Sequence, residues 1–336
     1  MDGPYRARDW RLRFALVGLA AVIAVAVVAG GLALRSSSGG GGGNPAANPS
    51  PTQVAVASPL PSAVVVEPSG PVRRADHVWL IMLENKEYSS LLDNPAAPYF
   101  NGLAAKYGLA TNYYATGHPS QPNYVALVAG SVAGVSADTV YHLNRPSLFS
   151  QLADRGEPWR VYAQDVPGGC FTGVKNATAF DGPGAPGPYA RKHNPAISFT
   201  SVANDPSQCA NIQPFASFDP AAGAYEFIVP NLVNDMHNGT IADGDAFLSE
   251  FVPLITASPA FADGGVLFIT FDEGSTSEGQ LGDAGGHVAT LFISTTVPTG
   301  DRYGAYADHS SVLRTTEDLL GLPCLGLACQ RAPITW

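Results

Sequence analysis

Basic side chains are scarce in this sequence, with 18 Lys and Arg against 28 acidic residues in 336 and a formal charge of −10. Nucleic-acid binding is disfavoured, because the few cations are too scattered to form a stripe that tracks phosphates. Charge of either sign is thin at 14% of residues, while 46% are hydrophobic, so the chain can bury a sizeable core and is not disordered overall. Cysteine is limited to Cys170, Cys209, Cys324 and Cys329. No CxxC spacing occurs among them, which argues against a cysteine-held metal cluster. There is no internal repeat.

What charge there is falls unevenly. Arg6, Arg8, Arg11, Arg13 and Arg35 flank residues 14–34 (FALVGLAAVIAVAVVAGGLAL), which are apolar or small throughout. As a helix this run extends about 30 Å, one hydrocarbon thickness. The preceding arginines favour a cytoplasmic N-terminus, which sends everything after Arg35 outside. A cleaved secretory signal is the rival, with small residues around Ala29 to Ala33 as a weak cleavage site. Either reading exports the rest. Residues 36–71, rich in Gly, Ser, Pro, Ala and Val, cannot offset their ordering entropy and serve as a tether. This leaves a folded domain over 72–336, with 13 basic against 26 acidic residues beyond Arg35. So acidic a domain draws an anionic substrate only through a local cation, and a metal ion is the economical one.

All four cysteines lie beyond the export segment, where an oxidising compartment favours disulfides. Four cysteines allow three connectivities. Cys170 with Cys209 and Cys324 with Cys329 is preferred, because the second pair is close in sequence across a Gly-containing loop.

Residues 77–83 (HVWLIML) and 266–271 (VLFITF) are continuous apolar runs that suit central buried strands. Residues 225–229 and 288–294 read as further strands, with helical patterns at 99–106, 123–129, 147–155, 244–255 and 309–320. This alternation predicts an α/β fold, a mostly parallel central sheet sandwiched by helices, with the chemistry at the carboxyl ends of the strands. The polar residues that end the two apolar runs are Glu84 with Asn85 and Asp272 with Glu273. As neighbours they would form an acidic oxygen cluster, stable mainly around a cation. The stretch GHPSQPNYVALVAG, residues 117–130, places Ser120 at or just before a helix N-terminus. There the helix dipole stabilises an anion or an alkoxide; an ordinary cap is the simpler role.

The motifs LENKEY, HPSQPNYVALVAGS, KHNP, PNLVNDMHNGT, FDEG and DHSSVLRTTEDLLGL occur in this order. Together they resemble the bacterial phosphoesterase family of secreted acid phosphatases and phospholipases C, in the alkaline phosphatase superfamily. The resemblance covers about residues 77–325 and extends to mycobacterial secreted acid phosphatases in size and export segment. It implies an alkaline-phosphatase-like fold and a divalent metal ion, one or two in number, held by Glu84, Asn85, Asp272 and Glu273. Ser120 is then the nucleophile. Asn123 either holds a phosphoryl oxygen or steadies the helix start. His193 is the candidate leaving-group acid, and Lys192, His118 and His287 are candidate substrate contacts. Asn231 and Asp235 resemble a second metal pair, weakened because Asn stands for the usual Asp and Asp for the usual His, and His309 is a candidate third ligand.

The implied activity is phosphomonoester hydrolysis through a phosphoserine, phosphoinositides being one candidate substrate. A phospholipase C or other phosphodiesterase is the alternative. Such relatives often carry extra C-terminal β domains, and the resemblance here runs almost to the last residue, which favours the monoesterase. A catalytically dead surface binding protein is the alternative of another class. The partners implied are a phosphate ester and, through the N-terminal helix, a membrane; no protein partner is predicted.

Overall fold

In the computed structural model the chain divides into Met1–Ser62 and Ala63–Trp336, and the residues described here, 74–168, 170–173, 189–274 and 285–336, belong to the second unit. The proposed anchor at 14–34 and tether at 36–71 lie outside the described residues. Among those described, no helix is long and apolar enough to cross a membrane.

Ten strands are present among the described residues: β1 Val78–Leu83, β2 Gly108–Ala110, β3 Tyr113–Tyr114, β4 Trp159–Ala163, β5 Ile212–Gln213, β6 Tyr225–Val229, β7 Val266–Phe271, β8 Thr290–Ile293, β9 Arg302–Tyr303 and β10 Ala307–Asp308. Eight form one sheet in the order β5-β4-β6-β1-β7-β8-β2-β9, and β3 pairs with β10. From β5 to β7 every pairing is parallel, while β8 runs antiparallel to both β7 and β2. The expected mostly parallel sheet is therefore present. Every residue of β1 and β7 is buried, as unbroken apolar runs covered on both faces require. β2 admits a glycine where it meets β8, since a Cβ on Gly108 would overlap the Phe292 ring.

Long helices flank the sheet at Pro98–Lys106, Ser120–Ala129, Ile241–Thr256 and His309–Leu320. The last two open with reciprocal capping boxes, Thr240 with Asp243 and Asp308 with Ser311, which satisfy backbone donors otherwise orphaned at a helix start. Cys170 pairs with Cys209 and Cys324 with Cys329, as expected from their spacing.

Two buried acids far from the strand-end acids make stability pH-dependent. Burial pushes Glu226 up to about 8, with Arg160 opposing and Asp219 adding, and Glu317 up to about 9, with Arg314 opposing and Asp318 adding. Each has one carboxyl oxygen on a backbone N–H, of Gly223 and Leu325, and the other buried without a partner. Folded chains thus keep protons that unfolded chains lose near the ordinary carboxylate range. The contribution is whole below that range and declines as pH rises to about 8 or 9. Thermal melts are expected to fall by about 5 °C or more between pH 5 and 8. Glu226→Gln flattens the profile; an unchanged slope in Glu226→Gln and Glu317→Gln would contradict it.

Candidate active site

Because β1 and β7 are parallel neighbours in register, Leu83 opposite Phe271, the acids that end them emerge side by side. Asp272 N–H donates to the Leu83 carbonyl, and Asn85 N–H donates to Asp272 Oδ1 at 2.9 Å. Glu84 and Asp272 are fully buried and Glu273 nearly so. Ser120 begins the helix Ser120–Ala129; its predecessor Pro119 is the cap and makes no side-chain cap bond. Ser120 Oγ instead donates to Glu84 Oε2 at 3.1 Å. The same oxygen accepts from Asn85 Nδ2 at 2.8 Å, and Glu84 Oε1 accepts from the Tyr124 hydroxyl at 2.7 Å.

These carboxyls are hard to ionise as they stand. Burial pushes Glu84 up to about 7, with Lys192 and Tyr124 opposing. Asp272 is raised well above the usual carboxylate range by burial and then by Glu84, and Glu273 rises to about 8 by burial and then by Asp272. Asp272 Oδ2 is buried and accepts no hydrogen bond. A hydroxyl, an amide oxygen and three crowded carboxyls, one with an orphaned oxygen, form an all-oxygen donor set that fits a hard divalent cation. Of the ligand set expected from the sequence, Glu84, Asn85 and Asp272 are joined with Ser120 by hydrogen bonds, while Glu273, next along the chain, faces Asn123 and His118.

A cationic side chain faces the serine. Lys192 Nζ lies 3.4 Å from Ser120 Oγ and 3.4 Å from His237 Nε2, and is held by Asp138 Oδ2 at 2.8 Å. Burial lowers the Lys192 pKa, but Glu84 and Asp138 outweigh it and the net shift is upward. Asp138 Oδ1 also accepts from Gln121 N–H, so one carboxylate steadies both the lysine and the helix start. Glu84, His193 and His237 each offer a ligand atom within 4.8 Å of the others. The ammonium beside His237 favours an anion over a second cation at that edge.

Several expected roles are corrected by the geometry. His193 is fully buried. Its Nδ1 is 3.1 Å from Asp235 Oδ2, its Nε2 is 2.9 Å from Glu84 Oε1, and its ring stacks on Tyr124. Both nitrogens face carboxyls, so it braces Glu84 and is not placed to protonate a leaving group. Asn123 Oδ1 accepts from Thr116 and Gly117 N–H, and its Nδ2 donates to Gly117 and Pro119 carbonyls and to Glu273 Oε2. With both ends of its amide occupied, it steadies the loop before Ser120 and does not hold a phosphoryl oxygen.

The second-metal trio does not assemble. Asn231 Nδ2 donates to Asp165, and its Oδ1 accepts from Val233 and Asn234 N–H. His309 Nε2 donates to the Asp272 carbonyl, which leaves Nδ1 to accept from the Tyr113 hydroxyl; burial lowers its pKa to about 4. Both imidazole nitrogens are therefore spent. Asp235 alone joins the site, through His193. His287 lies elsewhere: its ring stacks on Tyr88 at 4.4 Å and its Nε2 donates to the Thr111 carbonyl. His118 stays at the mouth, exposed, with Nδ1 2.9 Å from Glu273 Oε2.

Asp138, Tyr124 and His237 are the site residues not assigned in advance. Tyr124 was legible, being four residues beyond Ser120 and so on the same helix face. Asp138 was not, because an acid in a polar turn reads as a solvated one and its partner is 54 residues away.

Comparison with known proteins agrees with this architecture. Residues 75–323 match the model of the phosphoesterase family. The chain is 33% identical over 261 residues to a phosphatidylinositol-3-phosphatase of Mycobacterium tuberculosis, covering 77% of this chain and 81% of that protein. It is 28% identical over 293 residues to a phosphate-repressible acid phosphatase of Penicillium chrysogenum, covering 82% and 67%. Among solved structures, an alkaline phosphatase superfamily protein from Vibrio parahaemolyticus aligns with a TM-score of 0.50 at 13% identity, covering 74% of this chain and 67% of that one. The sheet order and the family match thus agree, and the chain belongs to the phosphoesterase family, as an enzyme that hydrolyses phosphoric esters.

Proposed function

We propose that this chain is an exported, divalent-cation-dependent acid phosphatase that hydrolyses phosphomonoesters through a phosphoserine at Ser120. The observation that carries the reading is one buried hydroxyl set between a carboxyl and an ammonium, Glu84 Oε2 at 3.1 Å and Lys192 Nζ at 3.4 Å. The names of the mycobacterial and fungal relatives support a monoester substrate, phosphoinositides among them. The apolar run at 14–34 with its flanking arginines supports display of the domain outside the membrane.

Glu84, Asn85, Ser120, Asp272 and Glu273 would hold the cation, which when bound neutralises the acids and polarises a phosphoryl oxygen. The protein's own groups handle the protons. The Ser120 O–H bond breaks toward Glu84 Oε2 as Oγ bonds to phosphorus, while Lys192 Nζ stabilises charge on Oγ and on the phosphoryl oxygens. The ester P–O bond breaks with its electron pair on the leaving oxygen, which takes the proton that the phosphomonoester monoanion carries in the acid range. Water then attacks phosphorus, the Oγ–P bond breaks, Glu84 returns the proton to Ser120, and both protons of the attacking water leave on the released phosphate.

Comparing p-nitrophenyl phosphate with its phosphorylcholine ester, with and without chelator, tests this. The monoester is expected to give the higher kcat/KM by about 100-fold, a difference of some 3 kcal/mol in transition-state stabilisation, and chelator to abolish it. Equal or faster turnover of the diester would make the protein a phosphodiesterase.

A further inference from the structure

Lys86 touches two corners of the site through their backbone. Its ammonium donates to the carbonyl oxygens of Asn85 at 3.1 Å and Met236 at 2.9 Å. These two residues have φ of 54° and 77°, a left-handed backbone that costs about 1 to 2 kcal/mol at a non-glycine residue. Each directly follows a buried acid, Glu84 and Asp235. The turn at Asn85 sets the direction of the expected cation ligands, and the turn at Met236 separates Asp235 from His237.

Such conformations persist only where their surroundings over-determine them. At Asn85 the constraints are Asp272 Oδ1 on the backbone N–H and Glu84 Oε2 on the side chain. At Met236 the side chain is fully buried against the helix Ile241–Thr256, where a Cβ on Gly244 would overlap it. The two corners meet through Glu84 N–H, which donates to the Asp235 carbonyl at 2.8 Å. Lys86 adds the remaining tie, one ammonium shared by both left-handed carbonyls.

We infer that Lys86 is a positioning residue that locks the cation-holding corner, Glu84 with Asn85, to the corner carrying Asp235 and His237. The inference rests on the proposed cation site. A rival role is charge balance alone, since Asp235, Glu84, Asp272 and Glu87 all surround the ammonium. The two roles differ in sign. A lysine that only balances charge repels an incoming cation, so removing it tightens binding; a lysine that aligns the ligands loosens binding when removed.

Calorimetric titration of metal-free protein with Mn²⁺ separates them. Lys86→Met is expected to weaken Mn²⁺ binding by about 10- to 100-fold, the usual loss when a partner behind the ligands is removed. Its kcat falls in proportion while KM changes by no more than about twofold, because the loss is in alignment of the reacting groups. Lys86→Arg, which can still donate to two carbonyls, restores most of the affinity. Gly244→Ala presses on Met236 without touching a polar group and is expected to loosen Mn²⁺ in the same way, so it decides the matter if Lys86→Met does not fold. Unchanged or tighter Mn²⁺ binding in Lys86→Met, or in Gly244→Ala where the first variant is lost, overturns the role of Lys86. No uptake by the wild type overturns the cation site and the inference with it.

Discussion

Replacing Ser120 by alanine is expected to lower kcat for p-nitrophenyl phosphate by about 10³-fold or more, the scale on which loss of a covalent nucleophile acts. The fold should be indifferent to the change. A serine that caps a helix costs about 1 kcal/mol when truncated, but Ser120 is the first residue of the helix Ser120–Ala129 and no side-chain cap bond is made there. Its hydroxyl is spent on Glu84 Oε2, which keeps the bond from Asn85 Nδ2. Lys192 retains Asp138 at 2.8 Å, so the surrounding charges stay in place. Acid quenching of wild-type enzyme with labelled substrate is expected to trap phosphate on Ser120. A variant that keeps more than a tenth of wild-type turnover, or label found elsewhere, would remove the serine from the mechanism.

The second large effect is at Asp272, where Asp272→Asn changes charge and almost nothing else. Asn can still accept from the Asn85 N–H that Asp272 Oδ1 binds at 2.9 Å. Uptake of Mn²⁺ is expected to fall by about 100-fold or more, since an anionic ligand of a hard cation becomes neutral. Stability of the metal-free protein moves the other way. The Asp272 carboxyl is held well above its ordinary range by burial and by Glu84, so in the folded state it keeps a proton that the unfolded chain has given up. Its contribution is present below the ordinary carboxylate range and is lost as pH rises. Metal-free Asp272→Asn is therefore expected to melt higher than metal-free wild type at pH 8, and about the same at pH 4. Opposite signs for binding and stability distinguish a cation ligand from a structural acid, whose loss would leave Mn²⁺ affinity unchanged.

Four of the ten strands among the described residues were legible as apolar runs of strand length, two of which stop at acids. Residues 225–229 and 266–271 are strands to the residue, and 309–320 is a helix to the residue. β4 Trp159–Ala163 was not anticipated, because Arg160 interrupts its apolar residues. Residues 288–294 read as a strand, and β8 is one, but its antiparallel direction has no local signature. Histidines were the least legible. His193 and His309 sit in motifs that pointed to substrate or metal, and His287 was a candidate substrate contact, yet His193 faces two carboxyls, His309 bonds through both ring nitrogens, and His287 Nε2 donates to the Thr111 carbonyl. An imidazole has two nitrogens and no preferred partner, so its role follows from whichever acceptors the fold places beside it.

The amino-acid sequence by itself determined the placement of Glu84, Asp272 and Ser120 at the ends of two buried strands and the start of a helix. Hydrophobic periodicity and helix-start chemistry are local, and they act before any distant residue is in contact. Only the tertiary structure decided that Asp138 grips Lys192 against Ser120, that Lys86 reaches from the Asn85 turn to the Met236 carbonyl, and that His309 turns inward to Asp272. Those contacts join residues 37 to 150 positions apart. Strand order and helix packing, not the neighbours along the chain, set which side chains share a hydrogen bond.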